Sequence, residues 1–564
     1  MPNTEQFQII DLISDDIKIK NVNKFCITIY GKNEKNENIA CHVLDYLPYF
    51  YLKVPDTWDS TESFNLLKRA CQKLDKNEDM PIPLISMVKG TNDHKSHIIM
   101  GKDFYCLDWD ERSNKYKESK FYKACFTNFK DMKKVITAIK KFYNGGKKNE
   151  KDFKYITKDE DWISLDRTCN EDKICDSNLY ESSLHPIIRF IHERNIDPTG
   201  WVQCTKREKC PLNIFSEISE FACDWNQINK IDDVRSSNYS IASFDIECDS
   251  LNGDFPMAKK DFKKLMASFF DSYHIINSKI NDEIVITKPM ADPDDSDDDI
   301  DDGIIYLEDV TRKLIQFAFL GGEPTGEYRY AIMHPIKTKE NKILSPESMS
   351  KVSHEITKIK NIHKFKDPKN KNKERDLIIT EMKDVFEKYC TEENISLEGD
   401  PIIQIGTVFH EYGKVGKDAW YRNILVIGPE DNMPHDKICD KMDDLRIDVV
   451  CCKDEKELLL EWSKLIKERD PDFITGYNIF GFDFRYINDR VDEYFKCPTF
   501  WSGDSRCKWG HHESCPKRHF LNLGKINLDE TTHQNKICKF KEQDLNSSAL
   551  GENKLSYYTM DGRI

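Results

Sequence analysis

The sequence predicts a mixed α+β domain followed by an α/β domain, and three observations lead to this fold class. The chain has 564 residues, enough for more than one domain with its own core. Strand-like and helical segments are mixed up to residue 235, whereas a series of strands followed by a helix begins beyond it. We therefore predict one domain over residues 1–235 and a second over residues 236–564.

The first domain is predicted from two strands and two helices. KFCITIYG (24–31) and FYLKVP (50–55) are dominated by β-branched and aromatic residues, which favour strands. FKDMKKVITAIKKFYN (129–144) and LHPIIRFIHERN (184–195) carry apolar residues at helical spacing. A domain that mixes both kinds of element in this way is α+β.

The second domain is predicted from strands that precede an amphipathic helix. The helix DEKELLLEWSKLIKE opens with Asp454 and Glu457, which have the spacing of a capping box, and Trp462 lies on its apolar stripe. This order of elements indicates an α/β domain. The strands, all rich in β-branched residues, are expected at 241–248, 401–413, 420–428 and 446–452.

A long interruption, from residue 251 to about residue 399, separates the first two of these strands. It opens with a helix, because apolar residues from Phe262 to Tyr273 follow the 3.6-residue period. An acidic segment, DPDDSDDDIDD (292–302), and a basic segment, KIKNIHKFKDPKNKNKER (358–375), then predict mobile surface loops. The acidic segment lacks the glycine and the distal glutamate of a calcium-binding loop, so a solvated loop is the better interpretation.

Net charge does not identify the partner of this chain. The formal net charge is −15, and the acidic segment alone contributes eight aspartates and no base. The basic clusters at 133–154 and 358–375 are either DNA contacts or solvated faces. Nineteen cysteines, no export signal and no apolar segment of bilayer length predict an intracellular protein with reduced thiols that does not enter a membrane.

Two acidic residues stand two positions apart at the end of the strand YSIASFDIEC. Side chains alternate along a strand, so Asp245 and Glu247 point the same way, opposite to Phe244 and Ile246. Two neighbouring carboxylates repel each other unless cations or solvent neutralise them. The pair therefore indicates either a strand end that reaches water or a cation site.

A third acid, Asp483, lies where PDFITGYNIFGFDFRYINDR (471–490) changes from a strand to a helix. DFIT has the character of a short buried strand, Gly476 that of a turn, and a helix is expected to begin near Asp483. Alone, an aspartate at a helix start is usually a cap. Together with Asp245 and Glu247 it suggests a carboxylate cage for two divalent cations, Mg²⁺ or Mn²⁺, about 3.5 to 4 Å apart, which suits phosphodiester hydrolysis.

Both acidic segments resemble motifs of one protein family. SFDIEC resembles the first exonuclease motif of B-family DNA polymerases, D-x-E, and GYNIFGFD resembles the second, N-x-x-x-F-D, formed by Asn478, Phe482 and Asp483. The large insertions and the composition suggest the polymerase of a large DNA virus. The other segments that resemble the delta-like, replicative branch or the family's N-terminal domain are 44–55, 184–202, 400–409 and 457–479.

The resemblance implies a polymerase N-terminal domain followed by a ribonuclease H-like DEDD exonuclease domain. The implied activity is proofreading, the removal of mispaired nucleotides from 3′ ends by two-metal hydrolysis. Asp245, Glu247 and Asp483 would be its catalytic residues and the ligands of two Mg²⁺ or Mn²⁺ ions. Asn478 and Phe482 would position the frayed 3′ strand, although a turn-capping asparagine and a core phenylalanine are the alternative roles.

The implied partners are a DNA primer-template with a single-stranded 3′ end and a C-terminal polymerase half on the same or a separate chain. A sliding clamp is a further partner that the resemblance allows, and the implied location is the host nucleus or a cytoplasmic viral replication site. Two other functions remain open. One is a non-catalytic DNA-binding scaffold that docks a separate polymerase half, and the other is a stand-alone DEDD-type nuclease, which the family-like N-terminal domain argues against.

The third exonuclease motif of the family, Y-x-x-x-D, is missing in our interpretation. The segment from Tyr557 to Asp561 has the right spacing, but it resembles the family's G-R hairpin, and Gly562 favours a turn over a helix. The palm motifs D-T-D and S-L-Y-P-S are also absent from the sequence. We therefore expect an exonuclease domain truncated at its C-terminal end, in a polymerase fragment or in one half of a split polymerase.

Cysteines and histidines recur every four residues in CPTFWSGDSRCKWGHHESCPKRHF. Zinc accepts sets of two cysteines and two histidines. In one straight helix, however, these four residues would spread over about 18 Å, too far for a single ion. A zinc site and a solvated insertion are therefore the two interpretations of Cys507, His511, Cys515 and His519.

Overall fold

The structure is a computed structural model, and it describes the chain in segments. The cysteine and histidine cluster at 507–519 lies outside the described residues, as do Asp561 and the acidic residues 292–300. The described residues are 3–54, 56, 58–65, 67, 87–89, 95–102, 109–110, 113–116, 118–144, 179–212, 218–250, 255–287, 301–322, 325–331, 335–360, 362, 373–416, 419–428, 447–495, 520, 523–525, 538–547, 551–560 and 562–564.

The chain begins with three antiparallel strands that bury β-branched and aromatic side chains. The predicted strand 24–31 lies within the second of them, where Phe25, Ile27 and Ile29 are fully or almost fully buried. The strands are β1 (Thr4–Ile19), β2 (Val22–Asn33) and β3 (Asn38–Leu44).

A smaller four-stranded sheet and a helix that packs on it follow. The helix has the predicted bounds 129–144 and packs Met132, Val135 and Ile136 against the sheet. The strand order is β5-β8-β4-β9, and β6 with β7 forms a separate short ribbon. The elements are β4 (Tyr49–Lys53), β5 (His97–Lys102), β6 (Trp109–Asp110), β7 (Lys115–Tyr116), β8 (Glu118–Cys125), α1 (Phe129–Asn144) and β9 (Leu179–Tyr180).

Two later strands close the first sheet into a barrel. Helix α2 (Pro186–Arg194), capped by the ring of His185, leads into β10 (Trp201–Lys206) and β11 (Ser219–Ile231). The barrel order is β1-β10-β11-β3-β2, and β11 pairs with β3 in the parallel sense. Residues far apart in sequence thus share one core.

The next strand, β12 (Ser240–Cys248), is followed by a helical insertion with its own core. Four helices surround Phe269, Leu314, Met382 and Phe386, all of which are buried. They are α3 (Lys263–Thr287), α4 (Asp301–Leu320), α5 (Pro346–Thr357) and α6 (Lys373–Glu392).

The insertion is more ordered than the sequence interpretation predicted. Only its first helix was expected, whereas Asp301 and Asp302 of the acidic segment open α4, and residues 373–375 of the basic segment open α6. The reason is that apolar residues at helical spacing follow each charged run, and their burial outweighs the local charge. The charged runs therefore adjoin helices and do not form loops throughout.

The remaining strands complete a five-stranded sheet with the order β15-β14-β13-β12-β16. β12 pairs antiparallel with β13 and parallel with β16, so it lies inside the sheet. All four strands predicted for this domain are present within a few residues of their expected bounds. The elements are β13 (Ile402–Glu411), β14 (Trp420–Ile427), β15 (Ile447–Cys452), α7 (Glu455–Arg469), β16 (Phe473–Thr475) and α8 (Asp483–Tyr494).

Helix α7 confirms the predicted apolar stripe and half of the predicted capping box. The Asp454 carboxylate accepts the Glu457 N–H at 2.9 Å, whereas the Glu457 carboxylate accepts the N–H of Lys453 at 2.7 Å. Trp462 is fully buried against Phe244 of β12 at 5.0 Å between ring centroids.

No described helix is long and apolar enough to cross a bilayer.

A hairpin near the end of the chain packs on α8. It consists of β17 (Lys539–Ser547) and β18 (Gly551–Thr559), and the Tyr558 hydroxyl donates to Asn488 Oδ1 of α8 at 3.2 Å. Gly562, with a φ of +84°, makes the predicted turn just after the hairpin.

A buried ionic cluster joins the barrel, the sheet and the end of the chain. Asp472, just before β16, is fully buried and contacts Lys32 of the barrel at 2.6 Å and Lys525 at 3.1 Å. Asp470 pairs with Arg563 at 2.8 Å. The charged residues of this cluster come from segments hundreds of residues apart in the sequence. The cluster therefore fixes the N-terminal barrel against the five-stranded sheet.

Candidate active site

The two acids of β12 share one face of the strand, as predicted. Asp245 and Glu247 are exposed, whereas Phe244 and Ile246 are buried on the opposite face. The pairing with β13 shifts register directly after Glu247. An irregularity of this kind re-aims side chains at the end of a strand and is common beside active sites.

The loop between β16 and α8 brings the third acid to the same place. Gly476 follows β16, and a Cβ atom there would lie 2.5 Å from the backbone oxygen of Phe244. Only glycine therefore allows the loop to pass so close to β12. Asn478 then takes a left-handed conformation with a φ of +57°, and its carbonyl accepts the N–H groups of Gly481 at 2.9 Å and Phe482 at 3.0 Å.

Asp483 begins α8 but does not cap it. The N-cap residue is Phe482, and the Asp483 carboxylate instead accepts the N–H of Ile246 in β12 at 3.3 Å. Asp483 is only 1% exposed. This hydrogen bond ties the start of the helix to the strand that carries the other two acids.

The electrostatics of Asp483 indicate an unneutralised pair of acids. Burial, followed by the negative charge of Asp245, raises the pKa of Asp483 to about 6. Both effects disfavour the charged form of Asp483. A bound cation would remove both penalties, and oxygen donors are what Mg²⁺ and Mn²⁺ prefer, so the donor set fits such ions.

The three acids are not equally close to one another. Asp245 and Asp483 contact each other, whereas the oxygens of Asp245, Glu247 and Asp483 do not all lie within 4.8 Å of one another. Glu247 lies farther along the exposed face of β12. The site is therefore a close pair of acids with a third acid at its edge.

Asn478 and Phe482 lie on the loop beside the acids. Asn478 is exposed, and its carbonyl makes the turn. Phe482 is half-buried between Phe255, at 5.6 Å, and Tyr486, at 5.2 Å, measured between ring centroids. The turn and packing roles that the sequence left open for these residues are thus both present.

Sequence reasoning missed three exposed aromatic residues around the acids. Tyr477 is 92% exposed, Phe255 is 76% exposed and Phe480 is 45% exposed. Large apolar side chains in water beside a polar site often mark a binding surface. The signal was present in GYNIF, where aromatic residues flank Asn478, but periodicity alone does not tell which of them are exposed.

The hairpin that contains Tyr557 also touches this loop. Tyr557 lies in β18, in a strand and not in a helix, and the Ser556 N–H donates to the Phe480 oxygen at 2.7 Å. Asp561, the other half of the Y-x-x-x-D pattern, lies outside the described residues. A two-stranded hairpin is what the resemblance of this segment to the family's G-R hairpin predicts.

Comparisons of the sequence with known proteins point to one family. Residues 177–320 and 330–559 match the family model described as DNA polymerase family B, exonuclease domain. The chain is 27% identical over 580 residues to the DNA polymerase of Pyramimonas orientalis virus, covering 99% of this chain and 39% of that protein. It is 25% identical over 595 residues to the DNA polymerase of Phaeocystis pouchetii virus, covering 97% and 49%.

A shorter similarity extends to cellular enzymes. The chain is 37% identical over 92 residues to the DNA polymerase delta catalytic subunit of Caenorhabditis elegans, covering 16% of this chain and 7% of that protein. These relatives confirm the viral and delta-like resemblance, and the sheets and helices of the structure together with the family match confirm the predicted fold class, an α+β region followed by an α/β exonuclease domain. The chain spans 39% to 49% of the length of the two viral relatives.

Proposed function

This chain belongs to DNA polymerase family B, and from that premise we propose that residues 236–564 carry a 3′–5′ proofreading exonuclease. The reaction is the hydrolytic removal of mispaired nucleotides from the 3′ end of a primer. The observation that carries the proposal is the buried position of Asp483 beside Asp245, where burial and then the charge of Asp245 raise the pKa of Asp483 to about 6. Such a pair of acids is costly to keep unless the site binds a cation.

The three acids contribute to cation binding in different ways. Family B exonuclease domains generally depend on divalent metal ions. Asp483 is the rigid ligand, since the N–H of Ile246 orients its carboxylate. Asp245 is its close partner, and Glu247 completes the set from the edge. When bound, two Mg²⁺ or Mn²⁺ ions would supply an activated water and stabilise the leaving oxygen.

The loop beside the acids receives the frayed strand. The amide of exposed Asn478 donates to the sugar or phosphate of the terminal nucleotide, and Phe482 packs against it. Exposed Tyr477 and Phe480 offer further stacking surfaces. Aromatic stacking tolerates any base, which suits an enzyme that removes whichever nucleotide is mispaired.

The rest of the polymerase provides the context for this activity. We assign residues 1–235 to the N-terminal domain, and we place the palm, which supplies DNA synthesis, outside residues 1–564. The partners are then a primer-template, the polymerase half and, for processive synthesis, a sliding clamp. Replication of DNA places the protein inside the cell, in the nucleus or at a cytoplasmic viral replication site.

Single-turnover excision of a 3′ mismatch tests the proposal. In the polymerase that contains this chain, Asp245→Ala combined with Glu247→Ala should lower the excision rate by at least about a hundredfold, because the cation loses two ligands. Primer extension should stay within about twofold.

Asp249→Ala provides the matched control, because this exposed acid directly follows the same strand. Its excision rate should equal that of the wild type. An unchanged rate in the double variant would refute the site. A wild-type polymerase that binds primer-template without excising would favour the non-catalytic scaffold instead.

A further inference from the structure

Three side chains with metal-ligating atoms meet on the barrel, far in sequence from the acids of the proposed active site. They are His42 of β3, Glu220 of β11 and Cys210 of the connection between β10 and β11, and their donor atoms all lie within 4.8 Å of one another. None of the three lies in a motif of the exonuclease. The barrel strands bring them together through pairings that no local pattern reveals.

Strand register explains why these side chains share one face. His42 lies directly opposite Thr28 in the antiparallel pairing of β2 with β3. Glu220 pairs with Ala40 in the parallel pairing of β3 with β11, so it projects on the same side as His42, one diagonal position away. Cys41, next to His42, points to the opposite face, into the main barrel core.

The histidine is already oriented as a ligand. Its Nδ1 lies 2.9 Å from Thr28 Oγ1, and its Nε2 lies 2.6 Å from Glu220 Oε1. The ring is fully buried, and only 8% of the Glu220 side chain is exposed. A metal-bound histidine usually donates its second ring N–H to a neighbouring acceptor, and Thr28 occupies that position.

The donor set suits zinc in both chemistry and charge. Zinc accepts imidazole nitrogen, thiolate sulfur and carboxylate oxygen, often with water as the fourth ligand. A neutral histidine with one thiolate and one carboxylate carries −2, which balances Zn²⁺ in a largely buried place. With ligand distances of about 2.0 to 2.3 Å, tetrahedral donors lie about 3.3 to 3.7 Å apart, so the His42 and Glu220 atoms need to separate by less than about 1 Å.

We propose that His42, Cys210 and Glu220 bind one Zn²⁺ ion that fastens the β10–β11 connection to the barrel. The ion replaces the proton shared by His42 and Glu220 and displaces the proton of the Cys210 thiol, and both protons pass to solvent. Half-exposed Cys210 marks the side from which the ion enters and where the fourth ligand, water, binds. The role is structural, because the site contacts none of the proposed exonuclease residues.

Co²⁺ binding tests the proposal, since a cobalt–thiolate bond gives an absorption band that reports sulfur ligation. The purified chain with Cys204→Ser, Cys507→Ser and Cys515→Ser as its parent background, stripped of metal, should bind one Co²⁺ with that band, and Zn²⁺ should displace it. Cys210→Ser should abolish the barrel band, and Glu220→Gln, which keeps the hydrogen bond to His42, should weaken Co²⁺ binding at least about tenfold. The three background substitutions are kept in both variants, because they remove two other possible thiolate sites, the cluster at 507–519 and the buried group of Cys41, Cys204 and Cys223.

Cys451→Ser is the matched control, because this partly buried cysteine lies on β15 in the other sheet. It should leave the cobalt band unchanged. Zn²⁺ should raise the melting temperature of the wild type but not that of Glu220→Gln, and the two should melt together in EDTA. Absence of the band in the parent background, or its persistence in Cys210→Ser, would overturn the zinc site and leave His42 and Glu220 as a hydrogen-bonded pair.

Discussion

Two buried aspartates eleven positions apart have opposite surroundings. Asp472 contacts two lysines, Lys32 at 2.6 Å and Lys525 at 3.1 Å, and accepts the Ser240 N–H at 2.8 Å. Asp483 accepts the N–H of Ile246, and its charged neighbour is another acid, Asp245. The first aspartate is neutralised within the chain, whereas the second is left for a ligand to neutralise.

The comparison separates structural acids from functional ones. Both residues are essentially excluded from solvent, so burial alone does not distinguish them. The sign of the neighbouring charge does, because a buried charge beside an opposite charge stabilises the fold, and one beside a like charge destabilises it until a cation binds. Removing the charge should therefore have opposite effects at the two positions.

The largest effect on folding is expected at Asp472. Asp472→Asn leaves buried Lys32 without its carboxylate and leaves Lys525 only the longer contact with Asp470, at 3.4 Å, so it should lower the free energy of unfolding by about 3–5 kcal/mol. Urea denaturation measures this change in the free energy of unfolding. Asp489→Asn removes an acid whose ion pair with Lys259 is partly exposed, so it should lower the free energy of unfolding by less than about 1 kcal/mol. Similar losses of unfolding free energy in the two variants would contradict the claim that Asp472 is a structural acid.

A smaller loss of folding stability is expected at Gly476, which lies between Asp472 and Asp483 in the sequence. Gly476→Ala forces a methyl group against the Phe244 oxygen and should cost about 1–3 kcal/mol. It should also slow excision, because the loop that places Asp483 against β12 is pushed outward. Gly428→Ala, whose added Cβ would meet nothing within 4 Å, should be neutral within about 0.5 kcal/mol. A neutral Gly476→Ala would show that the close approach is unnecessary.

The smallest effect on folding, and the one of opposite sign, is expected at Asp483. Its folded-state pKa of about 6 lies above the ordinary aspartate value of 3.8, so stability falls as the pH rises from about 4 to 6. Without divalent ions at pH 8, Asp483→Asn should therefore be more stable than the wild type by about 1–2 kcal/mol. The gain should disappear below about pH 4. A variant that is less stable at pH 8 would mean that Asp483 is a structural acid like Asp472.

Local patterns were sufficient to predict much of the candidate site. Alternation along β12 placed Asp245 and Glu247 on one face, and helical spacing gave α1 its bounds. The start of α8 at Asp483 followed from the change of period in its segment. These features depend on neighbours within a few residues, which a sequence displays directly.

Pairings between residues far apart in the sequence could not be predicted from local patterns. The parallel pairing of β3 with β11 joins residues about 180 positions apart and gathers His42 and Glu220. The contact between Lys32 and Asp472 spans 440 positions. Nothing in either local segment specifies its partner, because register over such distances is selected by the whole core. The exposure of Tyr477 depends on the same global packing.

Cation binding at the acid pair tests the account most directly. Titration calorimetry with Mn²⁺ at pH 8 should show binding to the wild-type chain that Asp483→Asn weakens at least about tenfold, while Asp489→Asn, on the same helix, leaves it unchanged. Cys210 stays intact in all three proteins, so any binding at the barrel is common to them. Equal Mn²⁺ affinity in Asp483→Asn and the wild type would contradict the claim that Asp245 and Asp483 are paired to hold a cation.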